Sequence, residues 1–187
     1  MTRIALLVML LPACSDPTVQ QHGLTFRSVT QGANQVWVSE VTWQGHSAAL
    51  PFYHLPDQTL DVSLPADVLA WLNAPTFAPS QVSVAVDPDA THYTTTAGVG
   101  LSSLIEDLGL FGGARVEMAF SKPNQRPERL PVVDCGQASE GVAVFVVEQG
   151  GRNELRREGH CVRAIYHVPQ DAIRVTERLG YGLIGVL

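Results

Sequence analysis

The sequence predicts an α+β protein built mostly from antiparallel sheet, with two short helices and a C-terminal helix packed on the sheet. Three observations carry that expectation. Short runs rich in valine, threonine and aromatic residues alternate with glycine, proline and asparagine turns. Helical spacing of apolar residues is confined to a few segments. Apolar residues make up 45% of the chain and charged residues only 16%, the balance of a chain that buries a core.

The elements follow in order. Asn34 to Trp43 alternates as a strand, with Trp37, Val41 and Trp43 on one face, while Val36 and Val38 give the other face an apolar start. Ser47 to His54 and Thr59 to Leu64 continue in extended style between turns at Gly45-His46 and Pro56-Asp57. Pro65 opens a short helix to Asn73, proline being favoured at a first helical position. Gln81 to Asp87 reads as a strand, followed by a turn and a threonine-rich strand near His92 to Thr96. Leu101 to Leu110 has helical spacing and stops at Gly112-Gly113, and Arg115 to Phe120 is a further strand.

Residues 121–131 carry Pro123, Pro127 and Pro131 and mark a long loop or lobe boundary. Val142 to Val147 is apolar on both faces, as expected of a central strand covered on both sides. Asn153 to Arg157 and His160 to His167 pair back as strands, and Pro169 starts the last helix. On that helix Ala172, Ile173, Thr176, Gly180, Leu183, Ile184 and Leu187 share one face. Gly180, Gly182 and Gly185 each weaken a helix by about 1 kcal/mol relative to alanine, so the packing there has to compensate through close approach of the helix to a sheet.

Charge narrows the function classes. The net charge is −6, and from Cys14 to Ala114 a single base, Arg27, faces nine acids. Such a chain lacks the electrostatic term that dominates nucleic-acid binding, so no nucleic-acid partner is expected. From Arg115 onward ten bases and nine acids are interspersed, the pattern of a solvated surface.

No catalytic motif stands out. There is no Gly-x-Ser-x-Gly elbow, and the only lysine, Lys122, completes no Ser-x-x-Lys. Gly98-Val99-Gly100 precedes a helix but has Ser103 where a dinucleotide loop needs its third glycine. Asp87, Asp89 and Thr91 resemble the start of a calcium loop, yet His92 replaces the required glycine and Gly98 the bidentate glutamate. His46, His54, His160 and His167 lack the spacing of a compact zinc site. No catalytic, cofactor or metal residue is therefore assigned, although a site assembled from distant residues is invisible to sequence spacing.

The N-terminus is more specific. Arg3, the apolar run Ile4 to Leu11 and the small residues that follow have the layout of a secretory signal. That run rises only about 12 Å as helix against roughly 30 Å of hydrocarbon, so it does not span a membrane. Leu11-Pro12-Ala13-Cys14 resembles the lipobox of bacterial lipoproteins. The resemblance implies cleavage before Cys14 and acylation, palmitate included, of that cysteine as the membrane anchor. Ser15, in place of an aspartate, resembles outer-membrane rather than inner-membrane sorting.

Residues 1–13 are then signal peptide, 14–23 a lipidated tether and 24–187 a single α+β domain. In an oxidising compartment the remaining pair, Cys135 and Cys161, is expected to form a disulfide. The part from Val132 through the paired strands to the closing helix is loosely similar to uncharacterised exported proteins of prokaryotes, a resemblance that implies no activity. The leading expectation is a non-enzymatic envelope lipoprotein that binds or assembles with a protein partner near the membrane. One alternative is a periplasmic or surface hydrolase. The other is a glycan or small-ligand module using Trp37 and Trp43 as an aromatic platform.

Overall fold

Two sheets enclose a layer of helices in the computed structural model, which describes residues 17–74, 77–123 and 130–187. The signal segment and Cys14 lie outside the described residues, as do residues 124–129 of the expected lobe boundary. Strands and helices are mixed along the chain, an α+β arrangement.

The first sheet is an antiparallel meander in the order β1 (Thr18–Gln21), β2 (Leu24–Gln31), β3 (Asn34–Trp43) and β4 (His46–Phe52). Its last hairpin turns on Gln44-Gly45, whose φ values of 46° and 91° match the right-handed twist of the flanking strands. Because Thr18–Gln21 is paired with β2, the segment expected as tether up to residue 23 is partly sheet. Trp37, Val41 and Trp43 do share a face, and that face turns inward. Both tryptophans are half-buried against the main core, so they form no open aromatic platform.

The stretch from Thr59 to Leu64 is not a strand. Pro56–Thr59 winds into a 3₁₀ turn, and Ser63 alone makes a bridge to the second sheet, through Ser63 N–H to Asn153 O at 3.3 Å and Leu155 N–H to Ser63 O at 2.8 Å. Helix α1 (Ala66–Leu72) follows as expected.

The second sheet has the order β6-β5-β7-β9-β8, formed by β5 (Gln81–Val86), β6 (Arg115–Phe120), β7 (Val142–Gln149), β8 (Glu154–Glu158) and β9 (Cys161–Tyr166). The strands β6, β5, β7 and β9 run parallel, and only the edge strand β8 is antiparallel. Parallel strands need both faces covered. Ser83 and Ala85 are accordingly as buried as Val82 and Val84, although the alternation of β5 looks one-sided. Ser83 satisfies its hydroxyl by donating to Glu117 Oε1 at 3.2 Å.

A parallel β5–β6 pair requires a crossover, and α2 (His92–Asp107) provides it. The threonine-rich strand expected at His92 to Thr96 is therefore the first turn of a helix. Thr94 is buried there and shares a 2.8 Å hydrogen bond with the Tyr166 hydroxyl. Tertiary demand overrides the β-propensity of three consecutive threonines. A short turn, α3 (Leu110–Gly113), leads on to β6.

The C-terminal helix α4 (Asp171–Leu183) joins the two sheets. Its Tyr181 ring stacks on Phe52 of β4 at 4.9 Å and meets Phe26 of β2 edge-on at 6.4 Å, and the hydroxyl donates to His54 O at 2.6 Å. The buried stripe includes Ala172, Val175, Thr176, Leu179 and Leu183, whereas Leu187 is exposed. The glycines permit close approach to helices rather than to the sheet. A Cβ on Gly180 would lie 3.1 Å from Leu104 of α2, and one on Gly182 3.4 Å from Leu69 of α1. Gly185, at φ 68°, closes the helix: its N–H donates to Gly182 O and Val186 N–H to Tyr181 O.

The opposite face of the second sheet buries Ala85, Ala119, Val144, Val146 and Cys161 beneath the segment containing Val133, Cys135 and Ala138. A disulfide between Cys135 and Cys161 pins that segment to β9. Among the described residues no helix is long and apolar enough to cross a membrane.

Candidate functional site

One edge of the first sheet, that of β4, lies beside a groove of about 240 Å³ between β4, α2 and α4. Leu50, Pro51, Phe52 and Tyr53 form one wall, Ala97, Val99, Leu101 and Leu104 of α2 the second, and Ile173 and Thr176 of α4 the end. Val99 and Tyr53 are exposed, at 49% and 37%, so the apolar lining opens to solvent. Thr96, Ser103, Asp107 and Glu177 supply polar groups, and no lysine or arginine is among the lining residues.

The edge geometry follows from the hairpin. Trp43 pairs with His46 across a two-residue turn, so hydrogen-bonded pairs recur at Val41–Ala48, Ser39–Leu50 and Trp37–Phe52. The intervening residues Ser47, Ala49 and Pro51 then direct their main-chain groups away from β3. Proline fits this position because it has no N–H to offer the ladder. Tyr53 is next in the alternation, and its outward N–H donates to Glu177.

Glu177 clamps the end of β4 to α4. Its carboxylate accepts from Tyr53 N–H and from His54 N–H at 3.1 Å, and lies 2.6 Å from His54 Nδ1. Burial pushes the Glu177 carboxyl above its ordinary value, against the pull of His54 and the two amides. Glu177→Ala should cost about 2–4 kcal/mol, because two main-chain donors lose their acceptor in a largely dry site. Glu177→Gln separates the charge from the hydrogen bonds. A carboxyl raised on folding favours the fold below the unfolded value near 4.5, and that contribution is lost as pH rises through the folded value. Urea unfolding should therefore show wild type losing ground to Glu177→Gln between pH 4 and pH 8; a pH-independent difference would contradict this assignment.

A histidine oriented by a buried glutamate is also part of a hydrolytic triad. Among the described residues no hydroxyl or thiol is hydrogen-bonded to the His54 imidazole, and what the pair visibly does is hold the end of β4 to α4. It joins residues 123 positions apart, and a single sequence carries no signal for it.

The β5–α2 loop carries Asp87 and Asp89. Lys122 Nζ sits 3.0 Å from Asp87 and 3.1 Å from Asp89, so an ammonium lies against the two carboxylates of the calcium-like motif. Those hydrogen bonds hold the lysine above its usual range. Gly98 is in mid-helix, where a Cβ would lie 2.5 Å from Val86 Cγ1, so it serves close helix–sheet packing rather than a phosphate loop. No group of three or more potential metal ligands occurs among the described residues. His22 instead pairs with Asp57 at 3.0 Å, and His160 stacks on Phe77.

No family model, curated protein or solved structure matches the chain.

Proposed function

We propose that this chain is an envelope lipoprotein, anchored through acylated Cys14, that acts without catalysis as a binding module for a protein partner near the membrane. The observation that carries the reading is the pairing of an apolar, solvent-open groove with the unpartnered edge of β4. Apolar pockets with few polar groups are the default binding sites of a fold, and an open edge offers main-chain hydrogen bonds to a second chain. With β1 starting at Thr18, at most about 14 Å of extended chain separates the domain from Cys14. That short reach favours a partner at the same membrane.

Co-purification after mild detergent extraction tests the reading with two variants. Val99→Arg places a charge in the groove mouth, and Leu60→Arg places one at a site 59% exposed elsewhere. A defined protein should be retained by wild type and Leu60→Arg and lost from Val99→Arg. Retention of nothing, or equal retention by all three, would contradict it. The intact mass of the mature protein checks the anchor: cleavage before residue 14 with an acyl increment is expected, and an unmodified Met1 terminus overturns it.

A further inference from the structure

Resting on that reading, we infer that the groove takes an extended, basic and apolar peptide segment of the partner, added as a fifth strand to the free edge of β4. Three features of the site select this occupant over others. The first is the main chain: Ser47 and Ala49 direct both N–H and C=O outward, Pro51 directs its C=O outward, and no described main-chain group pairs with them. An apolar ligand without backbone leaves these groups unmatched, whereas a strand meets them at its own spacing.

The second feature is shape. The wall facing the edge is helix α2, presenting Ala97, Val99 and Leu104. Successive side chains of an added strand point to opposite faces, so one set enters the groove against α2 and the other faces solvent. A groove of about 240 Å³ holds only a few aliphatic side chains, which sets the recognised segment at strand length rather than at a folded surface.

The third feature is charge. Exposed Asp107 ends α2 at the groove, Glu177 is already committed to β4, and no base lines the site. The only base from Cys14 to Ala114 is Arg27, on the far side of β3 from β4. A lysine or arginine on the incoming strand meets Asp107 without a competing cation, and a partner acid is repelled. Pro51 limits the edge to one side of the register, a common way of keeping an edge from pairing indiscriminately.

The probe is a soluble acetylated and amidated peptide whose groove-facing set is valine with a lysine at each end and whose solvent-facing set is serine, titrated into the folded domain by calorimetry, with main-chain hydrogen exchange followed by NMR. Binding should slow exchange at Ser47 and Ala49. It should weaken about tenfold or more when glutamate replaces the lysines, or when alternate peptide nitrogens are methylated so that they no longer donate. Asp107→Lys, at an exposed helix position, should weaken the lysine peptide and strengthen the glutamate one. Ala49→Pro should abolish binding; should it unfold the domain, Asp107→Lys and the methylated peptide decide the matter alone.

The inference is overturned by no binding, by equal binding of the glutamate or methylated peptides, or by protection elsewhere than β4. It is also overturned where monomeric lysophosphatidylcholine occupies the groove and the lysine peptide does not, since the occupant is then an acyl chain. If the peptide fails while Val99→Arg still loses the co-purifying protein, the binding-module reading stands and only the strand chemistry falls.

Discussion

Gly98→Val is expected to destabilise the domain by about 3 kcal/mol, while Gly100→Ala, two residues away on the same helix, leaves stability unchanged or raises it. At Gly98 the added Cβ lies 2.5 Å from Val86 Cγ1 and 3.1 Å from Met118 Cε. Val86 is 3% exposed and belongs to the main core, so it has little room to retreat. Overpacking a tight core typically costs about 1–3 kcal/mol, and valine adds two further methyl groups to the clash. The gain of about 1 kcal/mol from replacing glycine inside a helix offsets only part of this. At Gly100 nothing lies within 4 Å of an added Cβ, so the helical gain stands alone. Urea unfolding of the three proteins measures both effects. Equal stability for all three would mean that α2 does not pack on β5 as described.

Replacing Cys135 and Cys161 together by alanine should cost about 3.5 kcal/mol on the chain-entropy account. The bridge closes a sequence separation of 26 residues. Its second effect is local. The segment carrying Val133 and Ala138 covers Ala85, Ala119, Val144 and Val146, and without the bond its hold on the sheet rests on that apolar contact, the pairing of Pro131 and Val133 with Phe120 and the bridge of Ser139 to Val142. Limited proteolysis of the variant should cut first between β6 and β7, before global unfolding. Cleavage first in the β3–β4 hairpin, or an unchanged unfolding midpoint, would contradict this role.

Much of the fold is legible locally. The doubly apolar run of β7, the β8–β9 hairpin, Pro65 before α1 and the amphipathic α4 all announce themselves within a few residues. The parallel pairing of β5 does not, because Ser83 and Ala85 look like a solvent face until Glu117 on β6 and the covering segment are in place. Helix α2 is hidden for a related reason: His92 to Thr96 has strand propensity, and only the crossover between parallel neighbours makes it helical. The groove is harder still. Its walls come from residues near 50, 100 and 175, and Glu177 reads as one more surface acid of an amphipathic helix until its contacts with Tyr53 and His54 are known. Local patterns specify elements, whereas this site exists only in the packing of three of them.

The most direct test of the binding-module account is a photo-crosslinking residue at Val99 in the full chain, in its own membranes, with the adduct mapped by mass spectrometry and Val168 as an exposed control. One protein adduct is expected from Val99, mapping to an extended segment that contains lysine or arginine, and none from Val168. Adducts only to lipid, or the same proteins captured equally from both positions, would contradict it.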